Sequence, residues 1–448
     1  MSIRISIPDK VSFIISKLEG AGYEAFAVGG CVRDTLLNRT PGDWDITTNA
    51  SPNQVKEVFE RTIDTGIEHG TVTVMLDKEG FEVTTYRIDG EYEDGRHPKS
   101  VEFTNNLIED LKRRDFTINA MAYNERVGIV DAFSGREDLE HGIIRCVGCA
   151  TERFSEDALR ILRAIRFSAQ LGFEIEEETK KAISIIAPNL LKVSKERIQV
   201  ELVKLLVSPH PEKLLIGYET GVTKLIFPEF DNIMKQQQNN PYHCYTVGMH
   251  TIEMLKYIKP TKVLRLAALL HDIGKPLVHS INEQGMDYFY GHDTVGSKMA
   301  KTILKGLRFD NDTIDKVTKL VLYHSYHFQA DKKNIRKIIN QIGDDLFPDL
   351  LELVTADTKA KSSYQQKERL EEIEKIKVLY KEIKDAGECV SLKQLAVTGK
   401  DLLDAGVSQG KQVGIMLNEM LQFVLEYPEE NKKELLLKKW QLKDKTNI

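Results

Sequence analysis

No apolar run in this chain reaches the roughly 18 residues that a membrane-spanning helix needs. Even the stretch Leu264–Leu270 is interrupted by Arg265. Cysteine is scarce and odd in number, five in 448 residues, which excludes a disulfide framework and points to a reducing cytoplasm. Cys146-x-x-Cys149 has no second pair near it, so packing is favoured over zinc or redox chemistry. The opening Met1-Ser-Ile-Arg-Ile-Ser-Ile-Pro8 is too short and polar for a signal peptide, and the expected location is cytoplasmic. With 29 Gly and 13 Pro the chain is not collagen-like. An excess of positive charge is also missing: the formal charge of −6 excludes a globally basic nucleic-acid binder and leaves phosphate contacts to local basic surfaces. Hydrophobic residues at 41% and charged residues at 29% describe a folded chain, of about three domains at roughly 150 residues each.

Texture divides the chain into four segments. Residues 1–150 mix helix and strand. Val11–Leu18 has amphipathic helix spacing, and Phe26-Ala-Val28 is a short strand running into Gly29-Gly30. Thr71–Leu76 and Phe81–Tyr86 are β-rich, with Lys78-Glu79-Gly80 as the expected hairpin turn. In residues 151–234 strand signals fade, and Glu156–Leu171, Glu177–Ile186 and Lys195–Val207 show helical spacing. The polar stretch Lys235–Pro241 is a linker. Residues 242–360 are helical and rich in histidine. Residues 361–448 begin with a helix of alternating charge, Gln365–Lys384, expected to be a solvated face, and end rich in lysine.

Three motifs carry chemistry. The first is Gly29-Gly30-Cys-Val-Arg33-Asp34, followed by Asp43-Trp-Asp45. A strand ending at two glycines before a helix lets the backbone approach a phosphate, and Arg33 would add a bidentate donor. Asp43 and Asp45, two apart on a strand, share a face and repel unless a cation joins them. Such an oxygen-rich pair suits Mg²⁺ shared with substrate phosphates, whereas Thr40-Pro-Gly-Asp43 alone could be a plain turn. The second motif is Arg113-Arg114-Asp115-Phe-Thr-Ile-Asn119. Two arginines before an apolar helix call for an anion, unless they are a surface pair. The third is Glu156-Asp157-x-x-Arg160-x-x-Arg163-x-x-Arg166. Asp157 and the arginines recur every three residues, which expects one stripe on an otherwise buried helix. A carboxylate beside a guanidinium can read the edge of a nucleobase; the other reading is an internal salt-bridge ladder.

In this order the three motifs closely resemble those of the bacterial class II CCA-adding enzymes, which belong with the poly(A) polymerases in the DNA polymerase beta-like nucleotidyltransferase superfamily. The similarity is most specific in the first 170 residues and extends weakly to the tail, where Val397-Thr-Gly399-Lys-Asp401 is similar to the family's last domain. The resemblance implies an α/β nucleotidyltransferase head with a mixed sheet, followed by mostly α-helical neck, insert and tail. It implies template-independent addition of C, C and A to the tRNA 3′ end from CTP and ATP, with pyrophosphate leaving. It places Mg²⁺ on Asp43 and Asp45, the triphosphate on Gly30, Arg33 and Arg114, and base reading on Asp157 and Arg160, supported by Arg163 and Arg166. A third carboxylate is expected on a neighbouring strand; Glu82 is the candidate and Asp115 the alternative. The head motifs are shared with A-only tRNA nucleotidyltransferases and bacterial poly(A) polymerases. Lys192, Lys195, Arg197 and the lysines from Lys432 to Lys445 are the candidate tRNA contacts.

The segment Arg87–Pro98 is polar and glycine-containing. It resembles the loop that A-adding members carry and CC-adding members lack, a lever by which one pocket could accept C and then A.

Between residues 242 and 360 stands a second constellation: His250, His271-Asp272, His292, His324 and Asp357. Imidazoles with carboxylates from separate helices suit transition metals and, variably, Mg²⁺. The set resembles an HD domain, a metal-dependent phosphohydrolase module. That resemblance implies His250, His271, Asp272 and Asp357 as the minimal ligands and His292 and His324 as the extra pair of two-metal forms. A reading of a different class is an HD phosphohydrolase whose head only binds nucleotide.

Overall fold

Alternating apolar residues in the first segment become a seven-stranded mixed sheet. Its strands are β1 (Ala25–Val28), β2 (Ile46–Thr48), β3 (Thr62–Gly66), β4 (Thr71–Leu76) and β5 (Glu79–Thr85). A separate ribbon, β6 (Arg87–Asp89) with β7 (Val101–Phe103), interrupts the order before β8 (Met121–Asn124) and β9 (Gly128–Asp131). The sheet order is β3-β4-β5-β2-β1-β8-β9, and β2 runs parallel to β5 with Ile46 opposite Val83. A parallel neighbour needs a crossover. The helix Pro52–Val58 and the strands β3 and β4 supply it, the helix being started by a Ser51/Gln54 capping box.

The computed structural model describes residues 4–90, 101–326 and 329–442. Most of the segment expected to act as a lever, from residue 91 onward, lies outside them, as do Lys443 and Lys445. Among the described residues no helix is long and apolar enough to cross a membrane.

The β4–β5 hairpin turns one residue earlier than the expected Lys78-Glu79-Gly80. Leu76 pairs with Glu79, and Asp77 takes the left-handed conformation, φ 58°, which short Asp side chains tolerate in two-residue turns. Gly80 lies inside the strand, where a Cβ would come within 2.8 Å of Thr73 Cγ2.

Contacts separate two units, Met1–Pro228 and Glu229–Ile448. In the first, the sheet is followed by helices Ala150–Glu156, Leu159–Leu171, Glu177–Ile186 and Lys195–Leu206. The expected continuous helix from Glu156 is broken at Asp157, whose backbone is extended at φ −141°, ψ 102°. Its carboxylate Oδ1 instead accepts the Leu159 amide at 3.0 Å, and this competition by a short acidic side chain is what ends one helix and starts the next. Asp157 therefore precedes the stripe that Arg160, Arg163 and Arg166 form.

The second unit is helical. Val247–Tyr257, Lys262–Leu270, His292–Gly306, Asn311–Tyr323 and Phe347–Ala360 form the histidine-rich part. Gly274 is needed where the Lys262–Leu270 turn meets the next helix: a Cβ would lie 2.3 Å from the His292 carbonyl oxygen. The helix Gln366–Asp385 buries only Ile373, Ile376 and Ile383, and a tail core gathers Leu402, Met420, Val424 and Leu436.

Candidate functional site

In the first unit the end of β1 is the centre of the site. Gly29 has φ 83° and ψ −130°, a conformation open to glycine alone, and a Cβ there would sit 2.9 Å from Arg114 Nη1. Gly30, the residue singled out from sequence, starts the helix Gly30–Leu36, and its Cβ would make only an ordinary contact, 3.7 Å from Arg33 Nη2. The crowded position is thus Gly29, which brings the first motif against the second.

Asp43 and Asp45 lie in the segment leading into β2, three residues and one residue before its first residue, Ile46. The Asp45 carbonyl accepts the Val28 amide at 3.0 Å, which ties the acidic segment to the β1 end. Because Ile46 pairs with Val83, Asp45 runs level with Glu82 on β5. The Asp45 carboxyl is raised above its ordinary pKa, first by desolvation, then by the negative charge of Asp43; Arg114 pulls it down and Glu82 pushes it up. All three carboxylates therefore share one field, and a cation is the group that would relieve it. Their oxygens are more widely spread than the 4.8 Å grouping seen in the second unit.

Arg33 is buried. Its Nη1 donates to Asn119 Oδ1 at 2.6 Å, and its Nε and Nη2 hold Asp34 at 2.9 Å each. Asn119 donates onward to Asp115 Oδ1 at 3.1 Å, and Asp115 Oδ2 accepts from Arg163 Nε at 2.8 Å. Burial works to raise the Asp115 pKa, but Arg163, the Asn119 bond and Arg160 outweigh it, and the group is held well below the carboxylate range. Asp115 is thus an internal ion-pair partner, away from the Asp43/Asp45/Glu82 group in its bonding. Arg114 reaches Asp110 Oδ2 at 3.4 Å, and Arg113 grips Asp110 Oδ1 at 2.7 Å. Asp110 is fully buried and also accepts from Thr47 on β2. Burial would raise its pKa, and the two arginines bring it below the ordinary value.

Arg160 Nη1 donates to Glu156 Oε2 at 2.7 Å and its Nη2 to the Arg113 carbonyl at 3.1 Å. Asp157 Oδ2 accepts from Arg197 Nη2 at 2.7 Å. Arg166 is paired with Glu201 Oε2 at 2.5 Å and Gln170 Oε1 at 2.7 Å, over the Phe167 ring. Sequence reasoning missed Asp110 and Glu201; Asn119 stood in the second motif without an assigned partner, and Arg197 had been marked only as an RNA contact. A buried arginine calls for a carboxylate partner, but no spacing rule tells which.

The second unit brings all six expected histidines and aspartates together. His250 Nε2 is 2.9 Å from Asp357 Oδ1. His271 Nε2 is 3.1 Å from Asp272 Oδ2 and 3.9 Å from Asp357 Oδ1. Asp272 Oδ1 faces His292 Nε2 at 3.4 Å and His324 Nε2 at 3.5 Å. Each Nδ1 of His271, His292 and His324 meets the backbone carbonyl three residues earlier, at 2.7–2.8 Å. A carbonyl can only accept, so these Nδ1 atoms bear the protons and the Nε2 lone pairs point inward. The Nε2 atoms of His292 and His324 stand 3.2 Å apart, and the buried His271 Nε2 has no hydrogen-bond partner. Converging lone pairs, an orphaned imidazole nitrogen and two carboxylates fit a divalent cation. Two ligand sets, His250/His271/Asp272 and Asp272/His292/His324, each lie within 4.8 Å and share Asp272.

Residues 25–145 match the Poly A polymerase head domain, 172–234 the RNA and SrmB binding site of polymerase A, and 292–440 tRNA nucleotidyltransferase domain 2. The CCA-adding enzyme of Enterococcus faecalis is 34% identical over 95% of this chain and 93% of its own. That of Lactiplantibacillus plantarum is 53% identical over 207 residues, a match spanning about half of each protein, 46% of this chain and 51% of the other. The crystal structure of the Bacillus stearothermophilus CCA-adding enzyme in complex with CTP superposes with a TM-score of 0.70 at 30% identity, covering 96% of both chains.

Proposed function

This chain belongs to the family of CCA-adding enzymes, and on that premise we propose that it adds C, C and A to the tRNA 3′ end from CTP and ATP. The tRNA 3′ hydroxyl attacks the α-phosphate and pyrophosphate leaves. Membership in this family implies a divalent metal. We assign Mg²⁺ to Asp43 and Asp45, with Glu82 as the third carboxylate; when bound it would lower the pKa of the attacking hydroxyl and offset charge on the leaving pyrophosphate. Arg33 and Arg114 neutralise the triphosphate at the turn made by Gly29 and Gly30. Asp157 accepts from the exocyclic amino group that cytosine and adenine share and that uracil and guanine replace by a carbonyl at that edge. Arg160 donates to the neighbouring ring acceptors, Arg163 fixes the stripe through Asp115, and Arg166 anchors it to Glu201.

The observation that carries this reading is the bond from Arg160 Nη2 to the Arg113 carbonyl. It joins the base-reading motif to the arginine pair beside Gly29, so base and phosphates are held by one connected frame. The test is tRNA lacking its 3′ end, incubated with Mg²⁺ and CTP, ATP or both. Two additions with CTP and three with both support the reading. Addition to ends already bearing CC alone would mark an A-only enzyme, long A tracts a poly(A) polymerase, and no extension a head that only binds nucleotide.

We further propose that His250, His271, Asp272, Asp357, His292 and His324 hold one or two divalent transition metals in a phosphohydrolase site. The inward-facing Nε2 atoms favour it. Metal content and hydrolysis of a simple phosphodiester check it: His271→Ala should lose both and leave nucleotide addition unchanged. The four-part organisation, with head 1–150, neck 151–234, HD segment 242–360 and tail 361–448, is part of the same proposal.

A further inference from the structure

The helix Leu159–Leu171 buries Phe167, and three guanidinium groups lie over its ring. Cζ of Arg166 is 3.9 Å from the ring centroid, that of Arg33 4.9 Å and that of Arg163 5.4 Å. All three fall inside the roughly 6 Å reach of a cation–π contact. Phe116 packs against the same ring edge-on, with centroids 5.8 Å apart at 81°. Phe167 thus meets all three motifs: Arg33 from the first, Phe116 from the second, Arg163 and Arg166 from the third. The other rings with a cation over them, Phe13, Phe59, Phe289 and Phe423, each face a single lysine.

Three like charges around one ring repel one another. Each has a carboxylate of its own: Asp34 for Arg33, Asp115 for Arg163 and Glu201 for Arg166. In every case Nε donates, so the carboxylate sits at the edge of the guanidinium plane. The flat faces are left over, and the negative face of an aromatic ring is what suits them. Arg33 and Arg166 are only 8% and 6% exposed, so water weakens the attraction little. The three carboxylates come from different parts of the chain, and none of them sets one arginine against all the others. A hydrogen-bonded route through Asn119 and Asp115 joins Arg33 to Arg163, but the ring is the group that Arg33, Arg163 and Arg166 have in common. A leucine would fill the space without attracting them.

We propose that Phe167 is a positioning residue of the nucleotide site, whose π face holds Arg33, Arg163 and Arg166 in one cluster and so ties the grip on the triphosphate to the setting of the base-reading stripe. This rests on the nucleotide-transfer reading above, which gives Arg33 the triphosphate and Arg163 the stripe. Phe167 touches neither substrate; it acts through the arginines.

The test replaces Phe167 in the full-length protein by 4-fluoro-, 3,5-difluoro- and 3,4,5-trifluorophenylalanine. These keep the ring and its shape while draining the negative charge from its face. Phe154, fully buried in the neighbouring helix Ala150–Glu156, receives the trifluoro residue as a control. Two quantities are measured on proteins shown to be folded by thermal unfolding. One is the affinity for inorganic tripolyphosphate with Mg²⁺, by calorimetry. The other is the ratio of kcat/KM for CTP over UTP, in single-turnover addition to tRNA lacking its 3′ end. Both should fall stepwise with each fluorine at Phe167, reaching about fivefold in the trifluoro protein, and neither should change in the Phe154 control. Phe167→Leu should lose at least as much; should it not fold, the fluorinated series decides alone. Values independent of fluorine number mark Phe167 as a core residue and overturn the proposal, as does an equal fall in the Phe154 control. A fall in only one of the two quantities overturns the tie between them. A parent that binds tripolyphosphate with the expected fluorine dependence but extends no tRNA leaves the ring's hold on Arg33 standing and refutes the transfer reading. A parent that binds no tripolyphosphate overturns both.

Discussion

Removing Arg197 should loosen base selection while leaving the chemistry intact. Its Nη2 lies 2.7 Å from Asp157 Oδ2, and the two side chains are only 22% and 16% exposed. Asp157 Oδ1 is taken by the Leu159 amide, so Arg197 is the group that fixes the second oxygen. A hydrogen bond to a charged group contributes about 1.5–3 kcal/mol. Because both partners keep some contact with water, the low end applies, and about 1.5 kcal/mol corresponds to roughly tenfold in an equilibrium or rate ratio. Arg197→Met should therefore lower the ratio of kcat/KM for CTP and ATP over UTP and GTP by about tenfold, through faster misincorporation as the freed carboxylate turns away. Arg197→Lys should fall between, since it keeps the charge without the planar fork. The assay is single-turnover addition to tRNA lacking its 3′ end, with each of the four nucleotides. In an Asp157→Asn background Arg197→Met should add little further loss, because the partner is gone. Unchanged selectivity with a higher KM for tRNA would refute the reasoning and return Arg197 to the role of an RNA contact.

Three further outcomes follow from the same geometry. Asp43→Ala and Asp45→Ala should each abolish addition of both C and A without changing thermal unfolding, and loss of only one nucleotide would separate the two additions into different sites. Gly29→Ala places a methyl group 2.9 Å from Arg114 Nη1 in a backbone conformation that costs about 1–3 kcal/mol for other residues; the KM for nucleotide should rise at least tenfold, whereas Gly30→Ala should change it little. Asp115→Asn leaves Arg163 without its carboxylate. The cost should be about 2–3 kcal/mol at neutral pH, less than for a fully buried pair because Arg163 keeps 35% of its side chain exposed. Since the folded-state pKa of Asp115 lies below its unfolded value of about 3.9, this contribution is complete above that value and is lost as pH falls below it. The gap between the thermal midpoints of parent and variant should therefore stay full above about pH 4 and narrow progressively as pH falls below it toward the folded-state pKa, and a gap that does not narrow on acidification would refute the ion-pair account.

Local pattern was enough for much of this protein. The β-branched run Thr71–Leu76 reads as the strand it is, and helical spacing placed Glu177–Ile186 at its observed ends, because period and propensity act between near neighbours. The three motifs and the ordered histidines were legible for a different reason: reaction chemistry demands particular side chains in a particular order. What only tertiary structure decided was partnership. Spacing put Asp157 on a helical stripe, but its side chain caps the following helix and its charge meets Arg197, 40 residues away. Arg166 looked like a base-site residue and found Glu201. His250 and Asp357, 107 positions apart, meet only because separate helices pack. Gly29 rather than Gly30 proved the crowded glycine, since the residue it must clear, Arg114, arrives from a distant turn. Burial makes each unpaired charge costly, and it is the fold that determines which opposite charge lies within reach.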